Sequence, residues 1–220
     1  MRVVLVNLGT TRAPEPDAVR EFLREFLSDP MVVDYPRFLW KPILEAILRR
    51  RPERVAEQYR SIWTAEGSPL EIGTRRLCQA VGLATGLEVV YAFRYGEPHL
   101  TREVSRSDDA VVVLPLFPQR TGATTGTIEK LVQSASRAHL LSISPADPGY
   151  IEALADRAQK AAQERPDHLV VSFHGLPVRY DRSEGGRYRR DCESTFRALR
   201  ERLSWPEERA TLAYQSLFGP

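Results

Sequence analysis

Two hydrophobic periods alternate along the chain. From Arg2 to Asn7 the apolar residues Val3, Val4, Leu5 and Val6 run without a break, the pattern of a strand buried on both faces. From Asp17 to Ser28 the period lengthens. Val19, Phe22, Leu23, Phe26 and Leu27 then share one face of a helix. Arg37–Arg50 and Arg54–Trp63 read as two further helices, and the turn Gly67-Ser68-Pro69 opens another that runs to about Thr85. Glu88–Phe93 and Ala110–Leu116 are the second and third strands, Thr124–Ala138 is helical, and His139–Ser144 is a fourth strand. Beyond the turn-rich Pro145-Ala146-Asp147-Pro148-Gly149 come a helix over Tyr150–Glu164, a strand over Leu169–Phe173, a helix over Tyr188–Leu203 and a strand over Thr211–Tyr214. Leu217-Phe218-Gly219-Pro220 follows one turn later.

Continuous apolar strands separated by helices predict an α/β fold of parallel sheets flanked by helices. The Pro/Gly break divides it into two successive Rossmann-like units. Residues 1–146 form the first, and 147–220 a second that is incomplete. No internal repeat or low-complexity segment interrupts this reading.

Composition narrows the function classes. The chain has 220 residues, enough to bury a stable core without disulfides or metals. Its 31 basic and 29 acidic residues nearly cancel, which argues against a nucleic-acid partner. Cys78 and Cys192 have no metal-ligand spacing and read as two free thiols in a reducing compartment. No apolar run reaches the ~18 residues of a membrane span, and the N-terminus lacks the long apolar region of a signal peptide. A cytoplasmic protein is expected.

In open α/β sheets ligands bind at the carboxyl ends of strands, so the residues there are the candidates. Leu169–Phe173 leads into His174-Gly175-Leu176-Pro177. A lone histidine at that place can simply fill a turn. The Gly and Pro around it, however, shape a turn that turns the imidazole to the crevice, and imidazole accepts protons or ligates metals near neutral pH. Glu88–Phe93 leads into Arg94 and Tyr95, suited to an anion and to stacking, or to an ordinary solvated turn. The third strand leads into a polar, Gly-containing loop through Thr124 and Thr125, which either binds an anion or supplies only a helix N-cap. Leu8-Gly9-Thr10 after the first strand has one glycine, so the dinucleotide fingerprint G-x-G-x-x-G is absent, as is a P-loop. Within the apolar segment Met31–Arg51, Leu44, Ile47 and Leu48 read as core. Phe38, Leu39 and Trp40 read as an exposed lip over a flat hydrophobic ligand or against a membrane surface.

Ser172-Phe173-His174-Gly175-Leu176-Pro177 resembles the catalytic-histidine signature of ferrochelatases. Tyr214-Gln215-Ser216-Leu217-Phe218-Gly219-Pro220 resembles a second family motif. In the family's order, Val6-Asn7-Leu8-Gly9-Thr10, Phe26-Leu27-Ser28-Asp29, Val32-Val33-Asp34, Gly67-Ser68-Pro69-Leu70, Arg94-Tyr95-Gly96 and Pro118-Gln119 match as well. The resemblance spans the chain. It implies insertion of ferrous iron into protoporphyrin to make haem. A coproporphyrin substrate, or a related cobalt chelatase acting on sirohydrochlorin, is the alternative. A tetrapyrrole-binding chain without turnover is the non-enzymatic one.

By that resemblance His174 is the base that removes pyrrole protons and the residue that meets the iron. Leu8, Phe38, Leu39 and Trp40 would pack on the macrocycle. Ser68, Arg94, Tyr95 and Thr124 would anchor it or line its pocket, and the pocket would bend the ring. Iron and porphyrin are then substrates. The family's cluster-binding cysteines fall largely in its C-terminal part, which leaves an iron–sulfur cluster unassigned here.

Two departures stand out. Many members follow Pro-Gln with an aromatic residue and Ser-Cys-Ser, where this chain has Arg120-Thr121-Gly122-Ala123, so no aromatic contact carries over to Arg120. The family also continues past the Gln-Ser-x-x-Gly-Pro turn into a segment bearing a glutamate that faces the histidine, and no glutamate here matches that motif. Little or no chelatase activity is therefore expected of the 220-residue chain alone.

Overall fold

A computed structural model describes residues 1–162 and 167–216. The chain forms two compact units. The first comprises Met1–Phe117 and Gly122–Ser142, and the second Pro118–Thr121 together with the described residues from Ile143 onward. The first boundary thus falls a few residues before the turn-rich break. A short excursion, Pro118–Thr121, also belongs to the second unit, which a single cut in the sequence does not capture.

The first unit is a four-stranded parallel sheet with strand order β2-β1-β3-β4, where β1 is Arg2–Gly9, β2 Glu88–Tyr95, β3 Val111–Pro115 and β4 Ala138–Leu140. The valine-rich β1 and β3 take the centre because both of their faces are covered. Val4, Val6, Val111 and Val113 are fully buried with Ile128 and Leu100. Strand β2 runs two residues further than its β-branched run. Arg94 and Tyr95 are therefore strand residues, not turn residues, and Tyr95 pairs with Gly9 across the ladder. β4 begins at Ala138, which pairs with Val111, and is shorter than the predicted His139–Ser144.

Helix α1 (Pro16–Leu27) buries Val19 and Leu23, as its periodicity requires. Helix α2 is one helix over Arg37–Ile62, where two were expected. A mid-helix proline usually breaks a helix because it removes an N–H and crowds the carbonyl four residues back. Here Pro52 is itself buried, and the carbonyl it orphans, that of Leu48, accepts from Arg20 Nε of α1 at 3.2 Å. Leu44, Leu48 and Ala56 pack with Val19 and Leu23 on both sides of the proline, so tertiary contact outweighs the local break. Helix α3 (Pro69–Thr85) starts after Ser68 and ends on the left-handed Gly86. A short α4 covers Leu100–Ser105. The helix expected over Thr124–Ala138 is a π-turn at Gly122–Gly126 followed by α5, Thr127–Gln133. Two glycines flanking two β-branched threonines give the loop little intrinsic preference for a regular α-turn.

The second unit pairs β5 (Leu169–His174) with β6 (Ala210–Gln215), again in parallel. Its helices are α6 (Pro148–Ala161), α7 (Val178–Ser183) and α8 (Arg187–Arg202). Ile151 and Ala155 of α6 pack with Leu199 of α8 and Val171 of β5. The end of the helix expected through Glu164, and the motif residues Leu217–Pro220, lie outside the described residues. Residues 118–121 are held to this unit by side chains. Gln119 Nε2 donates to Thr195 Oγ1 at 2.7 Å, and the Arg120 amide donates to Asp191 at 3.1 Å. Cys78 and Cys192 are both free and buried, and burial pushes each thiol up to about 11, so neither is a thiolate nucleophile at neutral pH.

Candidate active site

In the first unit the carboxyl ends of β1 and β2 meet at Gly9 and Tyr95. Gly9 has φ +119°. An added Cβ would overlap the Tyr95 carbonyl oxygen and lie 2.8 Å from its carbonyl carbon. The missing side chain is what lets the two strands close here. Tyr95 is 1% exposed, and its phenol donates to Asp29 Oδ2 at 3.0 Å. Burial raises the phenol well above its usual range, so it stays a donor. Its ring meets Phe26 edge-on at a centroid distance of 5.1 Å.

Arg94 completes a closed network. Its guanidinium is paired with the same Asp29 oxygen, its Nε donates to Thr127 Oγ1 at 2.8 Å, and its Cζ lies 4.4 Å from the Tyr95 ring centre. Asp29 and Thr127 were not among the expected site residues. Asp29 lies in the Phe26-Leu27-Ser28-Asp29 string, and that carboxylate beside two turns of apolar helix was the available signal.

The structure corrects two expectations in this unit. Tyr95 presents no face to a ligand, because it is core. Ser68 is 2% exposed and donates to Thr10 Oγ1 at 3.1 Å, beneath the turn after β1. Burial raises the phenol of Tyr59, which lies near Thr10 and Thr11. Ser68 is thus part of the scaffold that holds Thr10, and Leu8, near the end of β1, is half-buried. Thr124 is half-buried in the π-turn, and the buried neighbour Thr125 has no partner for its hydroxyl. α5 has seven residues, and its N-terminus is the π-turn.

The lip divides. Phe38 is 78% and Leu39 46% exposed at the start of α2. Trp40 is half-buried against α1, its Nε1 donating to the Leu27 carbonyl at 2.8 Å. Helix geometry explains the split, since adjacent residues point about 100° apart and only Trp40 faces α1.

In the second unit His174 is the last residue of β5 and is exposed, one position earlier relative to the strand end than expected. The strand register places it beside Gln215. Gly175 follows in close contact with β6: an added Cβ would be 2.8 Å from the Gln215 carbonyl oxygen and 3.1 Å from that of Ser216. A cavity of about 350 Å³ opens here, lined in part by Gly175, Leu176, Pro177, Tyr188, Tyr214 and Gln215. Among the described residues no group of three His, Cys, Asp or Glu could hold a metal ion. No described helix is long and apolar enough to cross a membrane. The site residues therefore fall into two sets. Leu8, Phe38, Leu39, Trp40, Ser68, Arg94, Tyr95 and Thr124 belong to the first unit, and His174 to the second.

The family model described as Ferrochelatase matches residues 2–220. The chain is 42% identical to the ferrochelatase of Bordetella pertussis over 241 residues, an alignment covering 99% of this chain and 65% of the relative. It is 43% identical to that of Sodalis glossinidius over 232 residues, covering 99% and 69%. With that of Methylococcus capsulatus it shares 41% identity over 234 residues, covering 99% and 71%. The chain thus spans about two thirds of the length of these relatives.

Proposed function

The chain belongs to the ferrochelatase family, and on that premise we propose that it serves the insertion of ferrous iron into protoporphyrin to form haem, in the cytoplasm. The observation that carries the reading is His174, exposed at the carboxyl end of a parallel strand pair, inside the string by which the chain resembles ferrochelatases. Metallation removes two pyrrole N–H protons and exchanges the iron's water ligands for four ring nitrogens. A base able to cycle near neutral pH speeds such a step, and an imidazole nitrogen is also an acceptable iron ligand. His174 takes a pyrrole proton and releases it to solvent, to which it is open. Leu8, Phe38, Leu39 and Trp40 supply apolar contact to the macrocycle. Arg94, already neutralised by Asp29, acts mainly by holding the end of β2 rigid.

The test is a panel run anaerobically on the complete polypeptide that carries this sequence. Ferrous iron and cobalt are each offered with protoporphyrin, coproporphyrin and sirohydrochlorin. Haem formation from iron and protoporphyrin as the fastest reaction supports the proposal. Faster iron insertion into coproporphyrin corrects its substrate. Cobalt insertion into sirohydrochlorin as the main reaction overturns it.

A second expected result concerns the lip. Replacing Phe38 and Leu39 together by serine removes two large apolar groups that are exposed in the absence of ligand. Fully burying a large apolar side chain contributes about 1.5–3 kcal/mol, so losing even part of that cover at two positions should lower porphyrin affinity roughly 10-fold or more. The melting temperature should stay within about 2 °C, because exposed sites seldom affect stability. Fluorescence titration with protoporphyrin and a thermal melt of the same samples check this. Unchanged affinity removes these residues from the porphyrin contact. Met31, Tyr35 and Ile43, close by in sequence, are exposed apolar residues as well. Peripheral contact with a membrane through the lip is proposed as well, and cosedimentation with lipid vesicles before and after the serine substitutions checks it.

A further inference from the structure

The peptide unit joining His174 to Gly175 is held on both sides. Its carbonyl, on His174, accepts a hydrogen bond from the Tyr188 phenol at 2.7 Å. Its N–H, on Gly175, donates to the Gln215 carbonyl at 2.6 Å. The C=O and N–H of a trans peptide point in opposite directions from one rigid plane. Partners on opposite edges therefore fix the rotation of that plane, and with it ψ of His174. The pairing of His174 with Gln215 in the β5–β6 ladder fixes the other side of the residue. The Cα–Cβ bond of His174 then has one direction, and the imidazole keeps only its two side-chain torsions.

We propose that Tyr188 is a positioning residue for His174, acting through the His174 carbonyl to aim the imidazole. This rests on the reading of His174 as the proton acceptor. Tyr188 is well placed for it. It is the second residue of α8, is 8% exposed, and lies against the Tyr214 ring at a centroid distance of 6.5 Å. Its hydroxyl is thus delivered from a rigid helix and not from the turn that follows the histidine. Burial raises the phenol above its ordinary range, which keeps it protonated and donating throughout the neutral region. Gly175 makes the other half of the clamp possible, since a side chain there would push β6 away.

A tyrosine that only fills space would behave differently from one that aims a histidine, and Tyr188→Phe separates the two because it keeps the ring and removes only the donor. The complete polypeptide is labelled at the histidine Cε1 carbons and at glycine nitrogens. Within this sequence the histidines are His99, His139, His168 and His174, so the first three serve as internal references. The expected result is that the His174 ring and Gly175 amide resonances move while the other three histidines stay. In the iron-insertion assay kcat should fall roughly 10-fold with KM for porphyrin unchanged, since small misplacement of a reacting group lowers the chemical step and not binding. Unmoved His174 and Gly175 resonances overturn the clamp. Moved resonances with unchanged kcat, where His174→Ala abolishes turnover, overturn the positioning role. Moved resonances with unchanged kcat, where His174→Ala is also active, uphold the clamp and overturn the assignment of His174 as base.

Discussion

Gly9→Ala should lower the melting temperature of the protein by roughly 6–12 °C. The native φ of +119° is one that a residue with a Cβ adopts at a cost of about 1–3 kcal/mol. The new methyl also overlaps the Tyr95 carbonyl group in the paired strand. Taken together the loss is about 3 kcal/mol or more, and each kcal/mol moves the midpoint of a domain of this size by about 2–4 °C. The damage should be specific. Forcing β2 away from β1 at Tyr95 pulls the phenol from Asp29, and Asp29 also holds Arg94. A thermal melt followed by circular dichroism reads the first effect, and porphyrin affinity the second. A shift of less than about 2 °C would show that the strand ends open without penalty and that Gly9 is not required for their closure.

His174→Ala should lower iron insertion by ~10²–10⁴-fold, the range typical for losing a general base. Binding of protoporphyrin should change little. The fold should survive the substitution, because the side chain is exposed and the backbone of residue 174 is held by Tyr188 and, through Gly175, by Gln215. Loss of turnover with an unchanged melting curve is therefore the expected pair of results. A folded variant with turnover within a few-fold of the parent would remove His174 from the chemistry.

Much of this arrangement was legible in the chain, for reasons that differ from place to place. β1 and β3 announce themselves because a strand buried on both faces needs an unbroken apolar run, and Val3–Val6 and Val111–Leu114 are such runs. His174 was legible because glycine and proline follow it at the end of the strand-like run Leu169–Phe173. α2 was misread as two helices because Pro52 carries a strong local signal, whereas what overrides it, Arg20 reaching the Leu48 carbonyl, comes from 28 residues away. Tyr95 was read as a ligand contact for the same reason. Its turn-like neighbour Gly96 is local, but the Gly9 and Asp29 partners that bury it are distant in sequence. Ser68 shares that history, with its partner Thr10 lying 58 residues back. Tyr188 sits 14 residues after the carbonyl it contacts, at the start of a strongly charged helix, and nothing in its own neighbourhood marks it.

One single-turnover measurement isolates the metallation step and the role of His174 in it. The complete polypeptide is loaded with protoporphyrin, mixed anaerobically with ferrous iron, and followed by absorbance beside a pH indicator. The porphyrin spectrum should convert to that of haem, with two protons released per haem. In His174→Ala the porphyrin should remain bound and unconverted on the same timescale. Haem formation by the variant at the parent's rate would remove His174 from the chemistry, and a parent that binds porphyrin and never metallates it would overturn the assignment of iron insertion.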